Sequence, residues 1–217
     1  MIFALIAATG YLLGSIPFGL LAGRAKGIDI RQHGSGNIGA TNVFRTLGKT
    51  WGILVFVCDF SKGAGAVCAG IWIGTHAIDF AGGSVIRLTP ATAGILSGMS
   101  AILGHNFPVW LKFKGGKGIA TSAGVLVALM PWATLVCFVV WALVFFASRY
   151  VSLASVVAAA ALPAAVWALM TLTHAGDWPV FFFSIVIATL AIWRHRPNIQ
   201  RLIAGTESRF GKSKSQP

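Results

Sequence analysis

The chain has 217 residues, 56% of them hydrophobic, a mean hydropathy of +0.80 and only 10% charged, against about 25% charged in soluble globular domains. Seventeen Lys and Arg against five Asp and Glu leave a net charge of +12. This composition excludes an ordinary soluble domain, and the cations come with no recognisable nucleic-acid-binding fold or interleaved aromatic platform, which argues against nucleic acid as a partner.

The amino-terminal stretch "MIFALIAATGYLLGSIPFGLLAGR" is apolar from its first residue, and its first cation, Arg24, follows the apolar run. A cleaved signal peptide carries its cations first, so the stretch reads as a retained span, kinked at Pro17 where a backbone donor is missing. Further helices are expected near 52–75, 88–106, 119–130, 131–148, 151–172 and 178–194. The 119–130 segment is short; with its successor it forms either two spans or one span broken at Met130-Pro131. The expected fold is an all-α integral membrane protein with seven transmembrane helices, one domain over residues 1–204 and a disordered cytoplasmic tail over 205–217.

Seven spans with the amino terminus outside place the connections near 24–51, 107–118 and 149–150, with the segment from 195 onward, on one face. Nearly all cations lie in those segments, whereas the other face holds Asp79, Arg87 and Asp177. The positive-inside rule makes the cationic face cytoplasmic and puts the carboxyl terminus there too. Topology and anionic lipid headgroups alone account for that asymmetry, so charge says little about function. Cys58, Cys68 and Cys137 are scattered through apolar runs without metal or redox spacing and read as filler.

Three polar clusters fall on the cationic side. In "HGSGNIGATNVFRTLGK", residues 33–49, Gly34, Gly36 and Gly39 permit tight turns, Ser35 and Asn37 suit helix N-caps, and a following helix carries Thr41, Asn42 and Arg45, with Gly48 as its stop. A glycine turn ahead of a helix N-terminus, with an arginine one turn inside, suits an anion; a capped interfacial helix is the plainer reading. In "FKGGKGIATS", residues 113–122, the hydroxyls of Thr121 and Ser122 come too late for a nucleotide P-loop. What remains is an oxyanion cradle: exposed amides at Gly115, Gly116 and Gly118, the charge of Lys117, and a helix starting near Ile119. His105 and Asn106 close the preceding span and are placed to cap it, His105 being also a substrate-binding candidate.

In "RHRPNIQRLIAGTE", residues 194–207, Pro197 can open an interfacial helix, with Asn198 and Arg201 sharing a face. Arg196 is a further candidate, and the arginines around His195 favour its neutral form as a hydrogen-bond partner. Asp59 and Lys62 stand at i, i+3 within a span, where an unpaired charge costs about 2.5 to 3.5 kcal/mol; they should pair, although Lys62 could also reach a ligand. Ser152 and Ser155 are either hydroxyl donors or small helix-packing residues. One composite site for more than one phosphate is the expectation. Asp29, Asp59, Asp79, Asp177 and Glu207 are the only carboxylates, too few for paired-acid chemistry or a Mg²⁺ cage, so no metal or cofactor is expected.

The blocks "GSGNIGATNVFR", "GHNFPVWLKFKGGKGIATS" and "HRPNIQRLIAGTE" resemble the three sequence blocks of the bacterial acyl-phosphate:glycerol-3-phosphate acyltransferases, the PlsY family. The resemblance implies a seven-helix inner-membrane enzyme whose active site faces the cytoplasm; a monomer is the expectation. It would move a fatty acyl group from acyl phosphate to the 1-hydroxyl of glycerol 3-phosphate, giving lysophosphatidic acid and phosphate, with membrane lipids as its other partners. By that resemblance Ser35, Asn37, Arg45, Lys117 and His195 are the catalytic candidates. Ser35, Asn37, Thr41 and nearby amides fall to acyl phosphate; Arg45, Lys117, His195 and Asn198, with Ser155, fall to glycerol 3-phosphate, in an assignment that the two substrates could exchange. The proton acceptor is either His195 or the donor's own phosphate, which is preferred because it starts beside the attacking hydroxyl. The rival class is an organic-phosphate transporter, which would hold substrate near the midplane between repeats that this sequence lacks.

Overall fold

The computed structural model describes the backbone of residues 1–80, 88–174 and 177–211, and the side chains of the same residues except 77–80. Arg87, the side chain of Asp79 and the tail from residue 212 lie outside the described residues. Ten α-helices follow one another along the described chain: α1 (Ile2–Ser15), α2 (Phe18–Ala25), α3 (Ala40–Leu47), α4 (Lys49–Phe80), α5 (Pro90–Asn106), α6 (Ile119–Leu129), α7 (Pro131–Ser148), α8 (Val151–Thr173), α9 (Trp178–Arg194) and α10 (Arg196–Ile203). Two 3₁₀ turns, Ile30–Gln32 and Val109–Leu111, lie in the connections.

Among the described residues four stretches are long and apolar enough to cross a bilayer: Ile2–Ala25, Lys49–His76, Pro131–Ser148 and Val151–Thr173. A fifth arises if α9 and α10, bent by 56° at their junction, are counted together. The first of these stretches is interrupted where Pro17 was expected to kink it: Ile16 is extended, Pro17 caps α2, and the two halves are separate helices. Residues 119–148 form two helices, because Met130 leaves the helical region (φ −145°) ahead of Pro131. With 11 residues, α6 is only about 16 Å long, half the hydrocarbon thickness.

The chain divides into two compact units, Met1–Pro131 and Trp132–Pro217. In the first, α1 packs on α5, and α4 packs on α1, α3, α5 and α6. Glycines let these backbones touch. A Cβ on Gly10 would meet Ser97, one on Gly14 would meet Ala101, one on Gly63 would fall on the Thr121 carbonyl, and one on Gly124 on the Phe60 carbonyl. Without a hydrophobic drive between helices in lipid, such small-residue crossings supply the close van der Waals packing that holds spans together. Toward the connections, Leu20, Ala22, Ile30, Ile38, Val43, Val55 and Leu111 form a buried apolar cluster. It seats the 28–39 segment, α3 and the Val109–Leu111 turn on common ground. Immediately after that turn, Lys112 and Phe113 both take left-handed conformations (φ 52° and 63°), which leaves Trp110 and Phe113 exposed beside buried Leu111.

In the second unit α8 packs on α9, and α10 contacts both. An aromatic ladder joins Phe138, Trp141 and Phe145 along α7, and Phe210 sets its ring edge-on to Phe145. Residues 205–211 were expected to begin a disordered tail. They instead turn back at Gly205 (φ +69°), where the amides of Thr206 and Glu207 bond the Arg201 carbonyl, and return to Arg149, whose carbonyl accepts the Phe210 amide at 2.8 Å.

Candidate functional site

The first cluster is a turn moulded around one side chain. Asn42 of α3 is buried; its Oδ1 accepts the Ser35 amide at 2.8 Å, while its Nδ2 donates to the carbonyls of Ile30, His33 and Asn37 at 3.2, 3.0 and 2.8 Å. Gly34 and Gly36 take left-handed φ of +59° and +68°, and a Cβ on Gly34 would collide with Asn42 Oδ1. Sequence reasoning put Asn42 among the ligand-binding residues; both ends of its amide are engaged in holding the turn. The actual N-cap is Gly39, whose amide donates to Asn37 Oδ1 at 2.7 Å, and Gly48 ends the helix as expected with φ +89°. The amides of Ser35, Gly36 and Gly39 are thus committed internally. Ser35 and Arg45 are exposed, and Thr41 is half-buried. Upstream, Asp29 accepts the Arg31 amide and guanidinium, and that hydrogen bond, above all, lowers its carboxyl to about 2.

The glycine–lysine loop differs from its expected form in the same way. Gly115 donates to the Asn106 carbonyl at 3.1 Å and Gly116 to the His105 carbonyl at 3.0 Å, so these two amides cap the C-terminus of α5 instead of facing a ligand. The loop is closely fitted: a Cβ on Gly116 would land on His105 Nε2, and one on Gly118, which is left-handed at φ +79°, would meet Asn106 Oδ1 at 2.8 Å. That fixes half-buried Lys117 immediately ahead of α6, whose N-terminal turn remains the dipole-bearing part of the cradle. Thr121 and Ser122 in that first turn are buried, Thr121 completely.

Lys62 is engaged within the first unit. Its ammonium lies 2.8 Å from Asp59 Oδ1, with the side chains 4% and 2% exposed, and donates to the Ile16 carbonyl at 2.8 Å. The expectation that Asp59 and Lys62 pair is met, and Lys62 also anchors the α1–α2 break.

In the second unit the junction of α9 and α10 holds His195, which is 3% exposed. Its Nδ1 lies 2.8 Å from the Ala191 carbonyl oxygen. A carbonyl can only accept, so the proton of the neutral ring sits on Nδ1. Pro197 opens α10 as expected, and Asn198 and Arg201 do share a face. Sequence reasoning missed what gathers them: Glu207. Its Oε1 accepts from Ser152 Oγ and Asn198 Nδ2, both at 2.7 Å, and its Oε2 accepts from Arg201 Nε at 2.7 Å. Burial pushes the Glu207 carboxyl up, but the bonds from Asn198, Ser152 and Arg201 outweigh it and hold the group below the usual carboxylate range. The available signal was a lone acid a few residues after Asn198 and Arg201, in a chain with few acids. Ser155 donates to the Val151 carbonyl and accepts from Trp141 Nε1, and Arg196 stacks over Trp193 at 4.8 Å.

The chemistry available is anion holding: cations and a helix N-terminus in the first unit, a buried imidazole and amide in the second. Among the described residues no group of three His, Cys, Asp or Glu side chains could hold a metal ion.

The family model for glycerol-3-phosphate acyltransferase matches residues 4–205. The chain belongs to that family. Relatives include the glycerol-3-phosphate acyltransferases of Thermosynechococcus vestitus, 43% identical with 98% of this chain and 97% of the relative covered, and of Aquifex aeolicus, 46% identical with 92% and 95% covered. Among solved structures it resembles PlsY, an integral membrane glycerol 3-phosphate acyltransferase, in its glycerol 3-phosphate form: TM-score 0.80, 42% identity, 96% of each chain covered. The lysophosphatidic acid form of PlsY matches with a TM-score of 0.78 and 41% identity, covering 96% of this chain and 95% of that one. Membership makes the chain an acyltransferase of phospholipid biosynthesis and an integral membrane protein.

Proposed function

We propose that the protein transfers a fatty acyl group from acyl phosphate to the 1-hydroxyl of glycerol 3-phosphate, giving lysophosphatidic acid and inorganic phosphate. The observation that carries this reading is the full-length likeness to a solved enzyme recorded in forms with glycerol 3-phosphate and with lysophosphatidic acid. The clamped glycine–lysine loop supports it, since a phosphate-bearing substrate needs a fixed cation at a helix N-terminus. An acyl phosphate also requires no coenzyme or carrier protein: an anionic head on a lipid chain arrives from the bilayer, and a small dianion arrives from the cytosol. In this reading the protein has seven spans with the amino terminus outside, and works as a monomer at the cytoplasmic face of the bacterial inner membrane. Positive-inside charge supports that orientation.

The hydroxyl oxygen attacks the acyl carbonyl carbon, the carbon–oxygen bond to phosphate breaks, and the hydroxyl proton leaves on the released phosphate. Ser35, Asn37 and Thr41 serve the donor; Arg45, Lys117, His195 and Asn198 serve glycerol 3-phosphate. No covalent intermediate on the protein is needed. The rate enhancement comes from holding two anions in reacting geometry and stabilising the charge that develops. His195, with its proton held toward Ala191, binds substrate, and the donor phosphate is the base.

Purified protein in detergent, given acyl phosphate and glycerol 3-phosphate, should release phosphate and form lysophosphatidic acid. A carrier would release none, and that result would reject the proposal. His195→Gln separates the two bases: loss of affinity for glycerol 3-phosphate supports the binding role, whereas intact affinity without turnover would make His195 the base.

A further inference from the structure

We infer that Asp59 and His105 are positioning residues, forming with Lys62 a buried network that holds the glycine–lysine loop in its working shape without touching substrate. The inference rests on the proposed role of that loop.

Three observations meet at Asp59. Its Oδ1 is ion-paired with the Lys62 ammonium at 2.8 Å and lies 3.6 Å from His105 Nδ1, with all three side chains at most 4% exposed. Lys62 carries the link on to the Ile16 carbonyl, in the break between α1 and α2. On the other side of the imidazole, Nε2 occupies the space where a Cβ of Gly116 would be. The ring is therefore the surface against which the loop is pressed, one residue before Lys117. The main chain repeats the contact, because the His105 carbonyl accepts the Gly116 amide at 3.0 Å and the Asn106 carbonyl accepts that of Gly115 at 3.1 Å.

The electrostatics explain why a charge is present at this depth. A carboxylate out of water is tolerated only when paired, and from 3.6 Å its charge favours the imidazole tautomer that carries the proton on Nδ1, the nitrogen facing it. Lys62 neutralises the carboxylate. Asp59 thereby fixes the ring, the ring fixes Gly116, and Gly116 fixes the start of the cradle. The acid's service to the reaction is indirect, passed through His105 and Gly116 to Lys117.

The test uses the full-length protein in detergent with the double variant Asp59→Asn/Lys62→Met, which removes the carboxylate without stranding a buried ammonium. Hydrogen exchange of a peptide covering residues 112–122 is measured with kcat and KM for both substrates. Loop exchange should rise while exchange in α8 stays at the wild-type rate, and kcat/KM should fall by about tenfold to a hundredfold, the scale expected when a catalytic group shifts by an ångström. Wild-type loop exchange, with or without a kinetic loss, overturns the inference. If the double variant does not fold, His105→Asn, which retains a donor toward Asp59 and empties the space at Gly116, is judged by the same criteria. Wild-type protein releasing no phosphate would reject the proposed function instead, and the exchange comparison would still decide whether the network shapes the loop.

Discussion

The glycine–lysine loop of the first unit and the Glu207 knot of the second solve one problem in opposite ways. Each arrests a connection after a helix. In the loop, shape comes from what is missing: Gly115, Gly116 and Gly118 lie flush against α5, and main-chain carbonyls take the amides of Gly115 and Gly116. In the knot, shape comes from something added: a single carboxylate collects Ser152, Asn198 and Arg201. The first should fail when an atom is inserted and the second when a charge is removed, so each region needs its own kind of variant.

The sharpest break is Gly116→Ala. Its methyl would occupy the position of His105 Nε2, and the displaced loop should lower kcat/KM about a hundredfold, measured by phosphate release. Glu207→Gln comes next. It leaves three donors sharing a neutral amide, and a loss of about 1.5 to 3 kcal/mol per weakened charged hydrogen bond should appear as a lower melting temperature in detergent, with a smaller, indirect loss of activity. Ser152→Ala removes one arm of the knot and should cost about 1 kcal/mol in the same assay.

Acid titration sharpens the contrast further. Because the Glu207 carboxyl is held below its ordinary range in the folded protein, its contribution is complete above the unfolded value, about 4.3, and is lost as pH falls through the folded value. The wild type should therefore lose melting temperature below about pH 4 more steeply than Glu207→Gln. Parallel curves would show that the knot does not depend on the ionised acid. The smallest effect belongs to Asp29→Asn: the pair with Arg31 is exposed and local, and activity should stay at the wild-type level.

Much of the frame was legible because it depends on local chemistry. Pro17 ends α1 for lack of a donor, Gly48 ends α3 in a left-handed turn, and Pro197 opens α10, each as the residue type dictates. The site was legible as a set of segments and less so as a set of atoms. Asn42, Ser155 and the Gly115 and Gly116 amides have the right chemistry for phosphate, yet each is committed to a backbone or side-chain partner that sequence spacing cannot reveal. Glu207 was passed over because a single acid suggests neither a metal site nor an acid–base pair; its value lies in donors as far away in the chain as Ser152.

The Asn42 hub has a practical consequence for dissecting the chemistry. Because one interior amide dictates the course of the turn from within, the hydroxyl of Ser35 rides on its outer rim as a replaceable fitting. Trimming it to alanine leaves the mould intact, so whatever catalytic deficit follows can be charged to the missing oxygen and not to a collapsed scaffold.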